Sequence, residues 1–235
     1  MKRVFIFDLD DTLYDESTYV AGGFRAVAAW LAERHNADAE ACVRLMDEHL
    51  VRFGRGKVFD AVLERHGLHS RQMVNECVRV YRSHTPVLEL HPDAVQCLKR
   101  LRDHPIYIVT DGNKHVQLRK LQALGLYESS GIRKCYITRR YGVHNEKPSP
   151  YCFWLICREE RIEPAQAVYI GDNPAKDFVG IKPLGFRTVR IRRGAHKDRQ
   201  TSAEYEADRS IDTLDQMDER FIADIFTDEG VGGRA

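Results

Sequence analysis

Four consecutive apolar residues, Val4-Phe5-Ile6-Phe7, break directly into Asp8-Leu9-Asp10-Asp11-Thr12. A run that is apolar at every position, not every second one, reads as a strand buried on both faces, in the middle of a parallel sheet. Three acids and a threonine then stand where that strand ends. In open α/β sheets, ligands bind at the carboxyl ends of the strands. Carboxylates crowded together repel one another unless a cation lies between them. The start of the chain therefore points to a hard metal ion and to chemistry on an anionic substrate.

The rest of the chain divides in two. From Tyr14 to about Thr85 there is no parallel-strand pattern. Apolar residues recur instead at helical spacing: Phe24, Val27, Ala28 and Leu31; Val43, Met46, Leu50 and Phe53; Phe59, Val62 and Leu63; Val74, Cys77, Val78 and Tyr81. Four helical stretches without strands predict a helical insertion over residues 14–85. From Pro86 the pattern alternates. Helices are expected over 92–103, 116–124, 150–161 and 174–184, and strands over 106–110, 132–138, 167–171 and 187–191. That alternation predicts an α/β core over 1–13 and 86–235, a Rossmann-like doubly wound parallel sheet. A charged loop over 192–206, a last helix over 211–226 and a Gly-rich frayed end over 227–235 complete the reading.

Composition narrows the function. The formal net charge is +1 in 235 residues, which gives no case for nucleic acid or a membrane as partner. The six cysteines form no C-x-x-C pair, so they read as reduced core residues of a cytoplasmic protein. The N-terminus lacks the apolar core of a signal peptide. The ten histidines are scattered, without metal-site spacing.

Three further predicted strand ends and helix starts carry polar residues: Thr110-Asp111-Gly112-Asn113, Lys147-Pro148-Ser149-Pro150, and Gly171-Asp172-Asn173 with Asp177 five beyond Asp172. A doubly wound sheet can bring these to Asp8 and Asp10. Together they resemble, in order and spacing, the four motifs of the haloacid dehalogenase-like hydrolase superfamily: Asp8 to Thr12, then Thr110, then Lys147, then Gly171 to Asp177. The insertion resembles that superfamily's C1-type cap.

The resemblance implies a Mg²⁺-dependent phosphatase working through an aspartyl-phosphate. Asp8 is the expected nucleophile, since carboxylates form such intermediates. Asp10 lies two residues on, placed to pass a proton to the leaving oxygen and later to activate water. Thr110, Asp111, Gly112 and Lys147 are expected to hold the phosphoryl group. By resemblance the metal ligands are Asp8, the Asp10 carbonyl and Asp172, with Asp177 and Asn173 behind them. Asp177 is placed to orient Lys147 or a metal-bound water. An acid at Asp10 favours phosphoryl transfer over dehalogenation, because a halide leaves without a proton. Thr12 favours a phosphatase over a sugar phosphomutase. Asp11 reads as a turn or helix-start carboxylate, Asn113 as a loop-shaping residue and Ser149 as an N-cap. The run Arg190-Ile191-Arg192-Arg193 reads as a solvated strand end, the loop from Arg52 to Lys57 as a solvated turn, and Tyr14, Tyr19, Phe24 and Trp30 as packing.

The expected substrate is a small phosphorylated metabolite, with a lean to a sugar phosphate. A nucleoside 5′-monophosphate, as for pyrimidine 5′-nucleotidases, a phosphomutase reaction and a non-catalytic binding role stay open. So does a homodimer through the cap or a sheet edge.

Overall fold

A computed structural model describes residues 2–129 and 131–227. They separate into two compact units, Ser17–Leu88 and Met1–Glu16 with Glu89–Ala235.

The smaller unit is helical. Its elements are α1 (Glu16–His35), which starts at the unit's edge, α2 (Ala39–Phe53), α3 (Val58–Arg65) and α4 (Arg71–Ser83). The apolar stripes meet in one core of Phe24, Val27, Leu31, Cys42, Met46, Val62, Leu63 and Cys77. Asp38 and Ser70 accept the backbone N–H groups of Ala41 and Met73, which caps α2 and α4. Gly23 lets α1 approach α4, because a Cβ there would collide with the Tyr81 ring. Phe24 meets Phe59 edge-on and Trp30 packs on His35, so these aromatics serve packing. Residues 51–57 are exposed, as a solvated turn would be.

The larger unit is built on six parallel strands among the described residues: β1 (Val4–Phe7), β2 (Ile106–Thr110), β3 (Lys134–Ile137), β4 (Ala167–Gly171), β5 (Arg187–Ile191) and β6 (Arg209–Ile211). Their order is β3-β2-β1-β4-β5-β6, so this is the doubly wound sheet that the alternation predicts. The order reverses between β1 and β4. Phe7 lies in register with Ile108 on one side and Ile170 on the other. Every residue of β1, β2 and β4 is buried, which is why they read as unbroken apolar runs. The helices here are α5 (Pro92–Arg100), α6 (Lys114–Ala123), α7 (Tyr151–Glu160) and α8 (Glu219–Thr227). Asn113 caps α6 through the N–H groups of His115 and Val116.

Three expectations fail. Residues 174–184 form turns and one short 3₁₀ segment, Lys182–Leu184, not an α-helix. Asn173 Oδ1 takes the Ala175 N–H and Asp177 Oδ2 takes the Asn173 N–H, so side chains hold the backbone out of a helical start. Gly180 then passes so close to the Pro148 carbonyl that a Cβ would collide with it. Residues 211–226 are not one helix: β6 ends at Ile211, a 3₁₀ turn follows, and α8 begins only at Glu219. The basic run after β5 is not a solvated end. Arg190 is 3% exposed, pairs with Glu206 and donates to the carbonyls of His196 and Arg199. Arg193 pairs with Asp93, which also accepts from Thr213 and the Leu214 N–H. The expected Gly-rich end, beyond Thr227, lies outside the described residues.

No described helix is long and apolar enough to cross a membrane. All six cysteines are free thiols, and all but Cys135 are buried.

Candidate active site

Asp8 is the first residue past β1. Its N–H continues the ladder by donating to the Ile170 carbonyl at 2.8 Å. Its carboxylate, almost sealed from solvent, has Lys147 Nζ 2.9 Å from Oδ1. The same ammonium lies 2.8 Å from Asp177 Oδ1 and donates to the Tyr169 hydroxyl at 2.7 Å. Tyr169 in turn donates to Asp177 Oδ1 at 3.2 Å. Lys147 is thus held by two carboxylates and a phenol oxygen. Burial works against its charge, but Asp177 and Asp8 outweigh burial and hold its pKa well above the ordinary lysine value.

Asp172, just past β4, joins the group. One carboxylate oxygen from each of Asp8, Asp172 and Asp177 lies within 4.8 Å of the others. Burial, with Asp177 as a further like charge, pushes the Asp8 carboxyl up to about 7 against the pull of Lys147. Burial and the charges of Asp177 and Asp8 push Asp172 up to about 9. Three buried acids facing one lysine carry more negative charge than the site neutralises. An all-oxygen donor set of this kind suits a hard divalent cation such as Mg²⁺. Among the described residues no other group of His, Cys, Asp or Glu has this geometry.

Asp10 turns away from that cluster. Its Oδ1 accepts from Lys120 Nζ at 2.7 Å and from the Tyr14 hydroxyl at 2.6 Å, and its Oδ2 from Gln117 Nε2 at 2.8 Å. Burial would raise its pKa, but the Lys120 charge and these hydrogen bonds lower it overall. Its carboxylate therefore stands apart from the cluster of Asp8, Asp172 and Asp177, and the ligand expected of Asp10 is its backbone carbonyl, not this group. Thr110, 1% exposed at the end of β2, accepts from the same Gln117 amide at 2.6 Å.

Asp111 does not face a substrate as a free group. Oδ1 accepts from Thr138 and the Lys147 N–H, and Oδ2 from Lys176 Nζ at 2.8 Å. It braces the Lys147 loop, and a carboxylate so placed would repel a phosphate. Gly112 gives its N–H to Glu146 Oε1 at 3.1 Å. Asn173 shapes the loop before Asp177, as described. Asp11 does take the Glu16 N–H at the start of α1, but its other oxygen takes the Ala195 N–H, tying the loop after β5 to the loop after β1. Ser149 accepts from the Tyr151 N–H at 3.4 Å, one residue before the position of an N-cap.

Sequence reasoning missed Tyr14, Gln117, Lys120, Tyr169 and Lys176 as partners of the acids. For two of them a signal exists. Gln117 and Lys120 sit three apart on α6, among the buried positions that Val116 and Leu121 also occupy. Polar residues on the buried stripe of a helix need partners.

Comparison with known proteins gives the family. The family model for haloacid dehalogenase-like hydrolases matches residues 2–185, and the chain belongs to that family. A glyceraldehyde 3-phosphate phosphatase from Methanopyrus kandleri is 31% identical over 233 residues, covering 93% of this chain and 98% of the relative. One of the same name from Methanocaldococcus jannaschii is 27% identical, over 92% and 96% of the two chains. The crystal structure of a HAD phosphatase from Thermococcus onnurineus superposes with a TM-score of 0.60 at 26% identity, covering 95% of this chain and 98% of that one.

Proposed function

We propose that this hydrolase is a phosphomonoesterase of a small sugar phosphate, using Mg²⁺ and an aspartyl-phosphate on Asp8. The observation that carries the reading is the Asp8 carboxylate at the end of the central strand, 2.9 Å from Lys147 and within 4.8 Å of Asp172 and Asp177. The names of the relatives support the substrate class: both act on a three-carbon sugar phosphate.

Each residue has a physical task. Asp8 attacks phosphorus and forms the acyl-phosphate bond. Lys147, fixed by Asp177 and Tyr169, keeps a positive charge beside the attacking oxygen and the phosphoryl oxygens. Thr110 offers its hydroxyl to a phosphoryl oxygen. Asp8 and Asp172, with Asp177, would hold Mg²⁺, which when bound supplies charge neutralisation for the phosphate. Asp10 carries the proton. In the arrangement described it is a carboxylate, the form that activates water for the second half of the reaction. An arriving phosphate adds negative charge nearby, which raises the proton affinity of Asp10 and suits it to donate to the leaving alkoxide in the first half.

The six free thiols suit a reducing cytoplasmic location. The test of substrate class is phosphate release from a panel of sugar phosphates and nucleoside monophosphates, with Mg²⁺ and with EDTA. Metal-dependent release that is fastest on three- to six-carbon sugar phosphates supports the reading. Preference for nucleotides overturns the substrate class, and release undiminished by EDTA overturns the role of the metal.

A further inference from the structure

Two residues of α6 spend their polar atoms on the site. Gln117 and Lys120 are each 2% exposed. The Gln117 amide bridges Thr110 Oγ1 at 2.6 Å and Asp10 Oδ2 at 2.8 Å. Lys120 Nζ bridges Asp10 Oδ1 at 2.7 Å and Glu16 Oε1 at 3.1 Å. Both oxygens of Asp10 are therefore held from one helix, with Tyr14 as a third donor to Oδ1.

The chemistry of the bridge fixes its direction. A carboxylate oxygen only accepts, so the Gln117 atom facing Asp10 is the NH₂ group. That group has two hydrogens, one for Asp10 and one for Thr110. Thr110 Oγ1 must then accept from Gln117, which leaves its own hydrogen free to be donated elsewhere. A phosphoryl oxygen is the acceptor this suits, since phosphate carries lone pairs and no donor when ionised.

We propose that Gln117 and Lys120 are positioning residues for the phosphatase reaction: together they aim the Asp10 carboxyl group at the leaving oxygen, and Gln117 also makes Thr110 a donor to the phosphoryl group. This rests on the reading of Asp10 as the proton carrier. The alternative is a purely structural role, with Lys120 tying the start of α1 to α6 through Glu16.

The two roles separate by leaving group. Glycerol phosphate expels an alkoxide, which needs a proton. p-Nitrophenyl phosphate expels a phenolate that leaves without one. Misplacing Asp10 slows departure of the first leaving group only, whereas breakdown of the aspartyl-phosphate, which Asp10 also serves, is common to both substrates. The ratio kcat/KM reports the steps up to leaving-group departure and separates the two, and loosening the fold lowers it on both alike. The experiment measures kcat and KM for both substrates in wild type, Asp10→Asn, Lys120→Met and Gln117→Leu, with melting temperatures alongside.

Asp10→Asn reads the size of the proton effect, expected on the order of 100-fold in kcat/KM on glycerol phosphate and far less on p-nitrophenyl phosphate. Lys120→Met should show the same split, roughly tenfold or more in kcat/KM on glycerol phosphate and little on p-nitrophenyl phosphate. Gln117→Leu should show the split and also slow p-nitrophenyl phosphate, because Thr110 loses its set direction. If Lys120→Met does not fold, Gln117→Leu carries the test. Equal losses on the two substrates in both variants, or no loss, overturn the inference while Asp10→Asn keeps its split. No split in Asp10→Asn overturns the proton role of Asp10 itself, and the inference with it.

Discussion

Lys147 Nζ lies 2.8 Å from Asp177 Oδ1, although the two are thirty positions apart in the chain. That contact holds the ammonium against Asp8 on its other side, at 2.9 Å. It also explains why the segment after Asp172 is not helical: Asp177 must reach back toward β4, where its second oxygen takes the Asn173 N–H at 2.8 Å.

Removing that lysine leaves buried carboxylates facing one another. Lys147→Met should abolish turnover and cost about 3–5 kcal/mol, the range for breaking a buried ion pair by taking one partner. Lys147→Met with Asp177→Asn should recover part of the lost stability, without activity, because the second change removes one unpaired charge. Urea denaturation of the two single variants and the double variant measures this, and strictly additive losses would contradict the pairing.

Asp172 makes the opposite trade. Burial and neighbouring acids hold its pKa at about 9 in the metal-free protein, far above the unfolded value. The folded state then keeps a proton that the unfolded chain releases. Its contribution to stability therefore falls as pH rises from about 4 toward 9. Asp172→Asn removes that cost. It should stabilise the metal-free protein at pH 8 by about 1 kcal/mol or more, and Mg²⁺ should raise the melting temperature of wild type but not of this variant. Thermal melts of both proteins with Mg²⁺ and with EDTA, at pH 6 and pH 8, read both effects.

The sheet and the helical insertion were legible because burial there is local and periodic. β1, β2 and β4 are apolar at every position, and α1 to α4 repeat at helical spacing. Asp8, Thr110, Lys147 and Asp172 were legible because each stands beside a strand end or helix start. What escaped depends on partners far away in sequence. Nothing near Gln117 or Lys120 announces Asp10, which is more than a hundred residues earlier. Strand β6 escaped because Arg209 and Ser210 are exposed and only Ile211 is buried. The bracing role of the Asp111 side chain also escaped, because a polar residue at a strand end looks the same whether its side chain faces a ligand or holds a neighbouring loop.

Gly194 and Asp11 form a tight fit between the loops that follow β5 and β1. Gly194 has φ +63°, and a Cβ there would strike the Asp11 side chain. Gly194→Ala should therefore cost about 2 kcal/mol or more, from backbone strain and overlap together. Asp11 itself has φ 51°, a conformation glycine adopts freely. Asp11→Gly should cost less in the Gly194→Ala background than in wild type, since it removes the clash as well as the hydrogen bonds. Denaturation midpoints of the four proteins check this, and a larger cost in the Gly194→Ala background would contradict it.

The central claim is that Asp8 bonds covalently to phosphorus. The most direct measurement is phosphate release, with Mg²⁺, by wild type and by Asp8→Asn on the best sugar phosphate of the panel, with circular dichroism and a thermal melt to verify the fold. The account predicts metal-dependent turnover by wild type and none by a well-folded Asp8→Asn. Substantial turnover by the folded variant would contradict it, because an amide in that position cannot form the aspartyl-phosphate.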